Sequence, residues 1–345
     1  FLRNRLTLTA DFFIKDTKDL LMSASKAHVT GFDSQWQNVG KIRNSGIELS
    51  LNSTNFNTTG GFVWTTNFNI SFIRNELRAL ADGAGVMYAT AGWNSEYKGY
   101  DYMAAVGSSL GQIYGYEFDG VYQDSDFMVD AATGKMTLKP GIPDISDHAG
   151  REVVPGMVKY RDVDGDGVIT TNDRTAIGNG VPKWFGGITN TFSYKGFDLS
   201  FMFQFNYGND IYNATRMFAS QSQDQRSNMM SEVAERWTPT NASNSVPAWD
   251  GYIKNELYSR FVEDGSFLRL KTLTFGYTFP KSWTQKFYVS KLRLYFSAQN
   301  LFVVTGYEGY DPEVSVAATN PMTPGLDWGA YPKSRVYTFG IDLSF

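Results

Sequence analysis

Phe197-Asp-Leu-Ser-Phe-Met-Phe-Gln-Phe-Asn-Tyr207 carries an apolar or aromatic side chain at every odd position, with Asp198, Ser200, Gln204 and Asn206 between them. Successive side chains of a β-strand point to opposite faces, so this stretch reads as a strand with one apolar and one polar face. A tight Lys195-Gly196 turn separates it from a second alternating stretch, in which Ile188, Phe192 and Tyr194 oppose Thr189, Thr191 and Ser193. The same period recurs in both directions along the chain. Upstream, it is carried by Leu6, Leu8, Ala10, Phe12 and Ile14, then by Ile47, Leu49 and Leu51, then by Phe62, Trp64, Phe68, Ile70 and Phe72. Downstream, Leu273, Phe275, Tyr277 and Phe279 run out of phase with Leu268 and Leu270, which predicts a bulge near Lys271–Thr272. Leu292, Leu294, Phe296 and Ala298 follow, and Tyr337, Phe339, Ile341, Leu343 and Phe345 complete the series.

The eight predicted strands cover about residues 4–14, 41–53, 61–73, 185–194, 197–208, 266–279, 291–301 and 335–345. At roughly 9–14 residues they exceed the usual soluble strand of about 5–6 and match the ~9–11 of a tilted membrane-spanning strand. The connections alternate in length. Residues 15–40, 74–182, 209–264 and 302–332 separate strands by long stretches, whereas 52–60, 195–196 and 280–290 are tight. Short periplasmic turns and long extracellular loops give this asymmetry in outer-membrane barrels, and a soluble sandwich has no reason to place every long loop at one end. The fold class expected is therefore all-β, a transmembrane antiparallel β-barrel. Trp64, Tyr194, Tyr207, Tyr277 and Tyr337 are candidates for its interfacial girdles.

Composition agrees. Of 345 residues 16 % are aromatic and only 19 % charged, and the net charge of −4 carries no nucleic-acid footprint. The longest apolar run, Tyr102 to Val106, is far short of the ~20 residues of a membrane helix. The absence of cysteine excludes disulfides, thiolate metal sites and thiol nucleophiles. Two histidines, His28 and His148, leave no three-histidine site, and each reads as a loop residue rather than a catalytic base. Glycine pairs such as Gly83-Ala-Gly85 and Gly178-Asn-Gly180 do not form a dinucleotide-binding unit. No enzyme is expected.

One constellation has metal-ligand spacing. Asp162-Val-Asp-Gly-Asp-Gly-Val-Ile-Thr-Thr-Asn-Asp173 places carboxylates at positions 1, 3, 5 and 12 of an EF-hand-like loop. Gly167 occupies the sharp-turn position, the Val168 carbonyl is the seventh-position ligand, and Thr170 sits where a water often bridges. Asp173 replaces the usual glutamate and no amphipathic helices flank the loop. Calcium is the expected ion, held by Asp162, Asp164, Asp166, Val168, Thr170 and Asp173; the competing reading is a tight acidic turn. Loop aromatics, including Trp93, Tyr97, Tyr100, Tyr102, Tyr114, Tyr116, Tyr122, Trp237, Trp249, Tyr252 and Trp328, are expected mainly to pack the loops together. Residues 227–237, with Met229, Met230, Val233 and Trp237 at helical spacing, predict a short helix.

Five segments in order resemble the SusC/RagA-like TonB-dependent transporters of Bacteroidetes outer membranes. They are Asn38-Val-Gly-Lys-Ile-Arg-Asn-Ser-Gly-Ile-Glu-Leu-Ser-Leu51, Pro155-Gly-Met-Val-Lys-Tyr-Arg-Asp-Val-Asp-Gly-Asp-Gly167, Phe267-Leu-Arg-Leu-Lys-Thr-Leu-Thr-Phe-Gly-Tyr-Thr-Phe-Pro280, Leu294-Tyr-Phe-Ser-Ala-Gln-Asn-Leu-Phe302 with Gly309-Tyr-Asp-Pro-Glu313, and Tyr331-Pro-Lys-Ser-Arg-Val-Tyr337. The resemblance implies a 22-stranded barrel of which this chain supplies the last eight strands, the plug and earlier strands having no counterpart in it. It also implies import of oligosaccharides or peptides across the outer membrane, a SusD-like surface lipoprotein as partner, and coupling to TonB through the amino-terminal part. The alternatives are a soluble, calcium-dependent carbohydrate-binding β-sandwich and a small barrel adhesin.

Overall fold

The computed structural model describes residues 2, 4–25, 34–80, 83–93, 99–221, 228–254, 256–316 and 320–345. Eight long strands dominate: β1 (Leu6–Ser25), β2 (Ser34–Asn57), β3 (Val63–Ala79), β4 (Trp184–Tyr194), β5 (Phe197–Tyr207), β6 (Phe267–Thr278), β7 (Lys291–Thr305) and β8 (Val336–Ser344). They form one sheet in chain order, each strand antiparallel to the next. β1 and β8 are its two edges and do not pair with each other among the described residues. The eight strands therefore make a curved-wall segment and not a closed small barrel, which removes the adhesin alternative.

Register sets two faces. Phe12, Ile47 and Phe72 lie side by side across β1, β2 and β3, and Leu51, Phe68, Ile188 and Phe203 continue one row across β2–β5. This face is exposed: Phe12 is 71 % and Phe339 81 % accessible, far beyond what a water-soluble sheet tolerates on a continuous apolar surface. It is the lipid face. Asn190 and Thr66 interrupt it, but neither is unsatisfied. Asn190 Oδ1 accepts from Trp64 Nε1 (2.9 Å) and Thr66 Oγ1 (2.7 Å), and Thr66 Oγ1 accepts from Asn55 Nδ2. A polar group in hydrocarbon is tolerable only when paired in this way. Tyr194, Tyr207 and Tyr337 stand at or beside strand ends, where rings with one wet tip belong. The opposite face carries hydroxyls and amides, with Thr191 facing Ser200 (3.3 Å) and Thr274 facing Ser297 (3.2 Å).

Two expectations change in the loops. Residues 15–40 are read as a long loop from the sequence, but β1 and β2 stay paired out to Ser25 and Ser34. Above the bilayer both faces meet polar surroundings, so Asp16-Thr-Lys-Asp19 loses the alternation without leaving the sheet. The helix expected over 227–237 is a 3₁₀ turn, Ser231–Glu235, with Val233 buried, while an α-helix forms earlier, over Ala214–Gln221. His28, Tyr97 and Ser227 lie outside the described residues. The bulge appears where expected: the pairing of β6 with β7 shifts between Leu270 and Thr272.

The face assignment predicts a one-sided response to charge. Phe201→Arg, near the middle of β5 on the lipid face, should cost about 2–4 kcal/mol of barrel folding free energy. Ser200→Arg on the opposite face should cost little. Urea titration of the full-length protein in lipid vesicles, read by heat-modifiable gel mobility, measures both, and equal losses would refute the assignment.

Candidate functional site

The packed core does not lie in the sheet but in the three long connections at one end of it. A four-stranded sheet places Arg174–Asn179, Gln112–Tyr116, Tyr102–Ala105 and Val86–Ala89 side by side. A three-stranded sheet takes Asp210–Asn213 and Val262–Asp264 from one connection and Leu326–Asp327 from the next. Main-chain bonds knit the connections together, Tyr116 N–H donating to Leu257 O (2.9 Å) and Tyr212 N–H to Gly325 O (2.8 Å). Between them sits a fully buried tyrosine stack. Tyr116 lies on Tyr160 at 4.7 Å, and Tyr160 meets Tyr258 at 5.5 Å. Tyr102, Tyr116 and Tyr122, expected to pack the loops, all belong to this core, and Trp93 is buried with them; Tyr100 and Trp249 are exposed. The connections thus form one packed dome over the polar face of the wall.

The dome is anchored to the wall by charge. Arg269 projects from β6 and is almost fully buried, its Nη2 donating to Asp311 Oδ1 at 2.6 Å and its Nε lying 2.7 Å from Glu313 Oε2. Glu313 also takes Lys333 (2.8 Å) and Lys271 (3.7 Å), and Lys333 N–H donates to Asp311 Oδ2. Beside this cluster Asn300 adopts a left-handed conformation (φ 53) in the bulge and donates from Nδ2 to Ser334 O at 3.1 Å. Three of the five quoted segments, those holding Arg269, Asn300 with Asp311, and Lys333, therefore meet at one point and fold residues 306–316 and 320–335 back over the wall. In the sequence these stretches carry a family resemblance but not the cluster, whose signal is a basic pair, Arg269 and Lys271, in one stretch and an acidic pair, Asp311 and Glu313, in another. A second hub, Arg216 on the helix, holds Glu232 (2.6 Å), Glu263 (3.0 Å) and Glu308 (2.8 Å). His148 joins two connections through Nε2 and Glu256 Oε1 at 2.6 Å, and that bond raises its pKa against the opposing effect of burial.

The metal-spaced loop lies on the dome surface. Carboxylate oxygens of Asp162, Asp164 and Asp166 come within 4.8 Å of one another. Asp162 accepts from the N–H groups of Gly165 and Gly167 (2.7 Å each), Asp164 from Asp166, and Asp166 from Val168. The Asp164 carboxyl is pushed up: the Asp166 N–H bond pulls it down, but desolvation and the charges of Asp166, Asp173 and Asp162 outweigh that. Asp173 lies outside the trio. It is buried, and its oxygens accept from Val163 N–H (2.8 Å) and Thr170 N–H (2.7 Å), closing the loop like a staple. Thr170 caps the 3₁₀ turn Thr171–Asp173 through Asn172 N–H, and Val168 bridges to Asp144.

Both charge clusters give measurable expectations. Arg269→Met leaves two buried carboxylates short of their partner, a loss of about 3–5 kcal/mol for the docking of residues 307–316. Hydrogen exchange of that segment should accelerate, and unchanged exchange would show that the ion pairs do not hold it. The His148–Glu256 link has the opposite pH sense to an acid-labile pair. A raised folded-state pKa makes its stabilisation complete below the free imidazole value of ~6.5 and removes it as pH rises through the raised value. After correction for intrinsic rates, exchange at residues 145–150 should increase over that range and His148→Gln should abolish the dependence.

Comparison with known proteins places this geometry. The family model described as TonB dependent receptor-like, beta-barrel, matches residues 1–301. TonB-dependent receptor P3 of Formosa agariphila is 35 % identical over 346 residues, covering 99 % of this chain and 32 % of that protein. TonB-dependent receptor SusC of Bacteroides thetaiotaomicron is 26 % identical over 350 residues, covering 100 % of this chain and 31 % of its own length. A structure of the RagAB peptide transporter superposes with a TM-score of 0.72 at 26 % identity, over 99 % of this chain and 33 % of the compared chain. The chain spans about a third of the length of these relatives. With a two-faced antiparallel wall, loops gathered at one end and a family match over most of its length, the chain belongs to the TonB-dependent receptor β-barrel family of outer-membrane proteins.

Proposed function

We propose that the chain forms wall and extracellular dome of an importer that carries oligosaccharides or peptides across the outer membrane. The observation that carries this reading is the opposition of faces: apolar rings toward lipid, and a ladder of hydroxyls and amides beneath an anchored dome. Thr7, Asn52, Thr65, Asn67, Thr189 and Thr191, with Arg5 as the one charged residue, line a hollow of about 280 Å³ on that inner face. Neutral hydrogen-bonding groups offer many weak, replaceable contacts to sugar hydroxyls or peptide amides. A translocating substrate needs this, because tight binding would stall it. No covalent step is assigned to the chain. A SusD-like surface lipoprotein is the proposed partner at the dome, and TonB is proposed to act through the amino-terminal part of the protein.

Likeness to a peptide transporter supports the peptide class, and the oligosaccharide class is what the sequence resemblance to SusC/RagA-like transporters implies. Deleting the gene and measuring uptake of labelled oligosaccharides and peptides decides between them. One class should be lost, and the loss should be reproduced when TonB is inactivated. Affinity purification of the tagged protein should bring down one lipoprotein in stoichiometric amount. Unchanged uptake of both classes with no lipoprotein recovered would overturn the proposal.

Calcium is proposed at the dome loop, with Asp162, Asp164 and Asp166 as the carboxylate ligands, Val168 supplying its carbonyl and Thr170 a water-bridged contact. Asp173 would act by holding the loop closed. Three mutually repelling carboxylates at this range favour a divalent cation. Asp164→Ala should lower the melting temperature of the purified transporter by a few degrees in calcium and leave it unchanged in chelator. Equal shifts in both conditions would leave a plain acidic turn.

A further inference from the structure

We infer that the lipid face carries a site for a phosphorylated lipid of the outer leaflet, at its extracellular rim across β1, β2 and β3. The inference rests on the outer-membrane embedding of the wall. Its lower half is the apolar row Phe12, Ile47 and Phe72, with Ile14 above it, the last residues of the lipid belt before the dome. Register then places Arg74 beside Ser45 and Ile14, and Arg43 between Asp16 and Glu76. All of these point outward. Their chain neighbours Ile42 and Leu77 pack inward against Ala104 and Leu110, and Asn75 accepts inward from Leu110 N–H at 2.8 Å.

Two adjoining hollows, of about 460 Å³ and about 190 Å³, share Arg43 and Arg78 in their linings. The larger runs from the rings of Phe12 and Phe72 up to Arg74 and Lys183, and the smaller reaches Lys18 and Lys41. The patch thus holds six cations, Lys18, Lys41, Arg43, Arg74, Arg78 and Lys183, against two carboxylates, Asp16 and Glu76. Asp16 is taken by Arg43 in a two-pronged bond (2.6 and 2.7 Å), and Glu76 by Arg78 (3.2 Å). Arg74 and Lys183 have no ion-pair partner within 4 Å among the described residues, although Lys183 also lines a neighbouring hollow with Asp210 and Asp264 and its charge acts on Asp210. Cations scattered along a rim need only reach water. Here four of them, Arg43, Arg74, Arg78 and Lys183, line one hollow with an apolar floor, and Lys18 and Lys41 line the hollow adjoining it, at the depth where acyl chains give way to headgroups. An amphiphile with two chains and a phosphate matches both halves: chains over the rings, phosphate across the guanidinium and ammonium groups, where planar donors bind it strongly.

The test uses the full-length transporter in detergent, titrated with diphosphoryl lipid A or the same glycolipid without phosphates and read by native mass spectrometry. The wild type should favour the phosphorylated lipid. Arg74→Gln/Lys183→Gln, which leaves both ion pairs intact, should bind it roughly ten- to thirty-fold more weakly, with the phosphate-free lipid unaffected. A variant that keeps the full preference, or a wild type that shows none, overturns the inference. So does release of the lipid by millimolar inorganic phosphate, which would mark a simple anion site. Heat-modifiable mobility of both proteins reports separately on the embedded barrel, so a failure of the wall reading is distinguished from a failure of the lipid site.

Discussion

Everything in this molecule follows from one constraint: within hydrocarbon, each backbone N–H and C=O must find its partner inside the protein. An antiparallel sheet meets it only if each strand is paired along its whole membrane depth, and β2 through β7 are paired on both sides. The chain cannot cross connections or insert a strand between neighbours, so strand order equals chain order. The sheet then dictates the rest. With both faces of the wall committed, one to lipid and one to the lumen, no core can form between layers. Packing has to happen outside the membrane, and the three long connections supply it.

That division explains what could be read from the sequence. The alternation at Phe197–Tyr207 is legible because lipid on one side and polar surroundings on the other impose opposite demands on successive residues. Where the demands relax, so does the signal, and residues 15–25 and 34–40 remain paired without announcing it. Asp162, Asp164 and Asp166 come together as their spacing indicates, since a six-residue turn is decided locally. Asp173 does not join them because its destination depends on where residues 163 and 170 present their N–H groups, which is a property of the folded loop.

The anchoring cluster was out of reach for a different reason. Arg269, Asp311, Glu313 and Lys333 stand in three separate stretches, and each looks like an ordinary surface charge. Their burial is unfavourable one by one and acceptable only as a set, so no residue carries a local signature. The bulge at Leu270–Thr272 is the part that did show, as a change of phase. Its use becomes clear only with the cluster in place: the extra residue turns Asn300 into a left-handed conformation, where its amide can hold Ser334 and bring Lys333 to Glu313.

The aromatic load divides by the same logic. Phenylalanine fills the middle of the wall, at Phe201, Phe203, Phe205, Phe275 and Phe296, where a phenol would have no partner. Tyrosine fills the dome core, and the hydroxyls of Tyr102, Tyr122 and Tyr258 find partners because irregular connections leave carbonyls and side chains within reach. Tyr102 donates to Pro324 O, Tyr122 to Pro143 O, and Tyr258 accepts from Gln221. Burial pushes Tyr102 and Tyr258 well above the ordinary phenol range, so both phenols keep their protons at any physiological pH and that of Tyr102 stays in its bond to Pro324. A tyrosine bond of this kind does what a phenylalanine contact cannot, since it ties a ring to one particular carbonyl. Tyr102 thereby links the first long connection to Pro324 in the last, and a dome built from segments more than two hundred residues apart acquires a single arrangement over the polar face it covers.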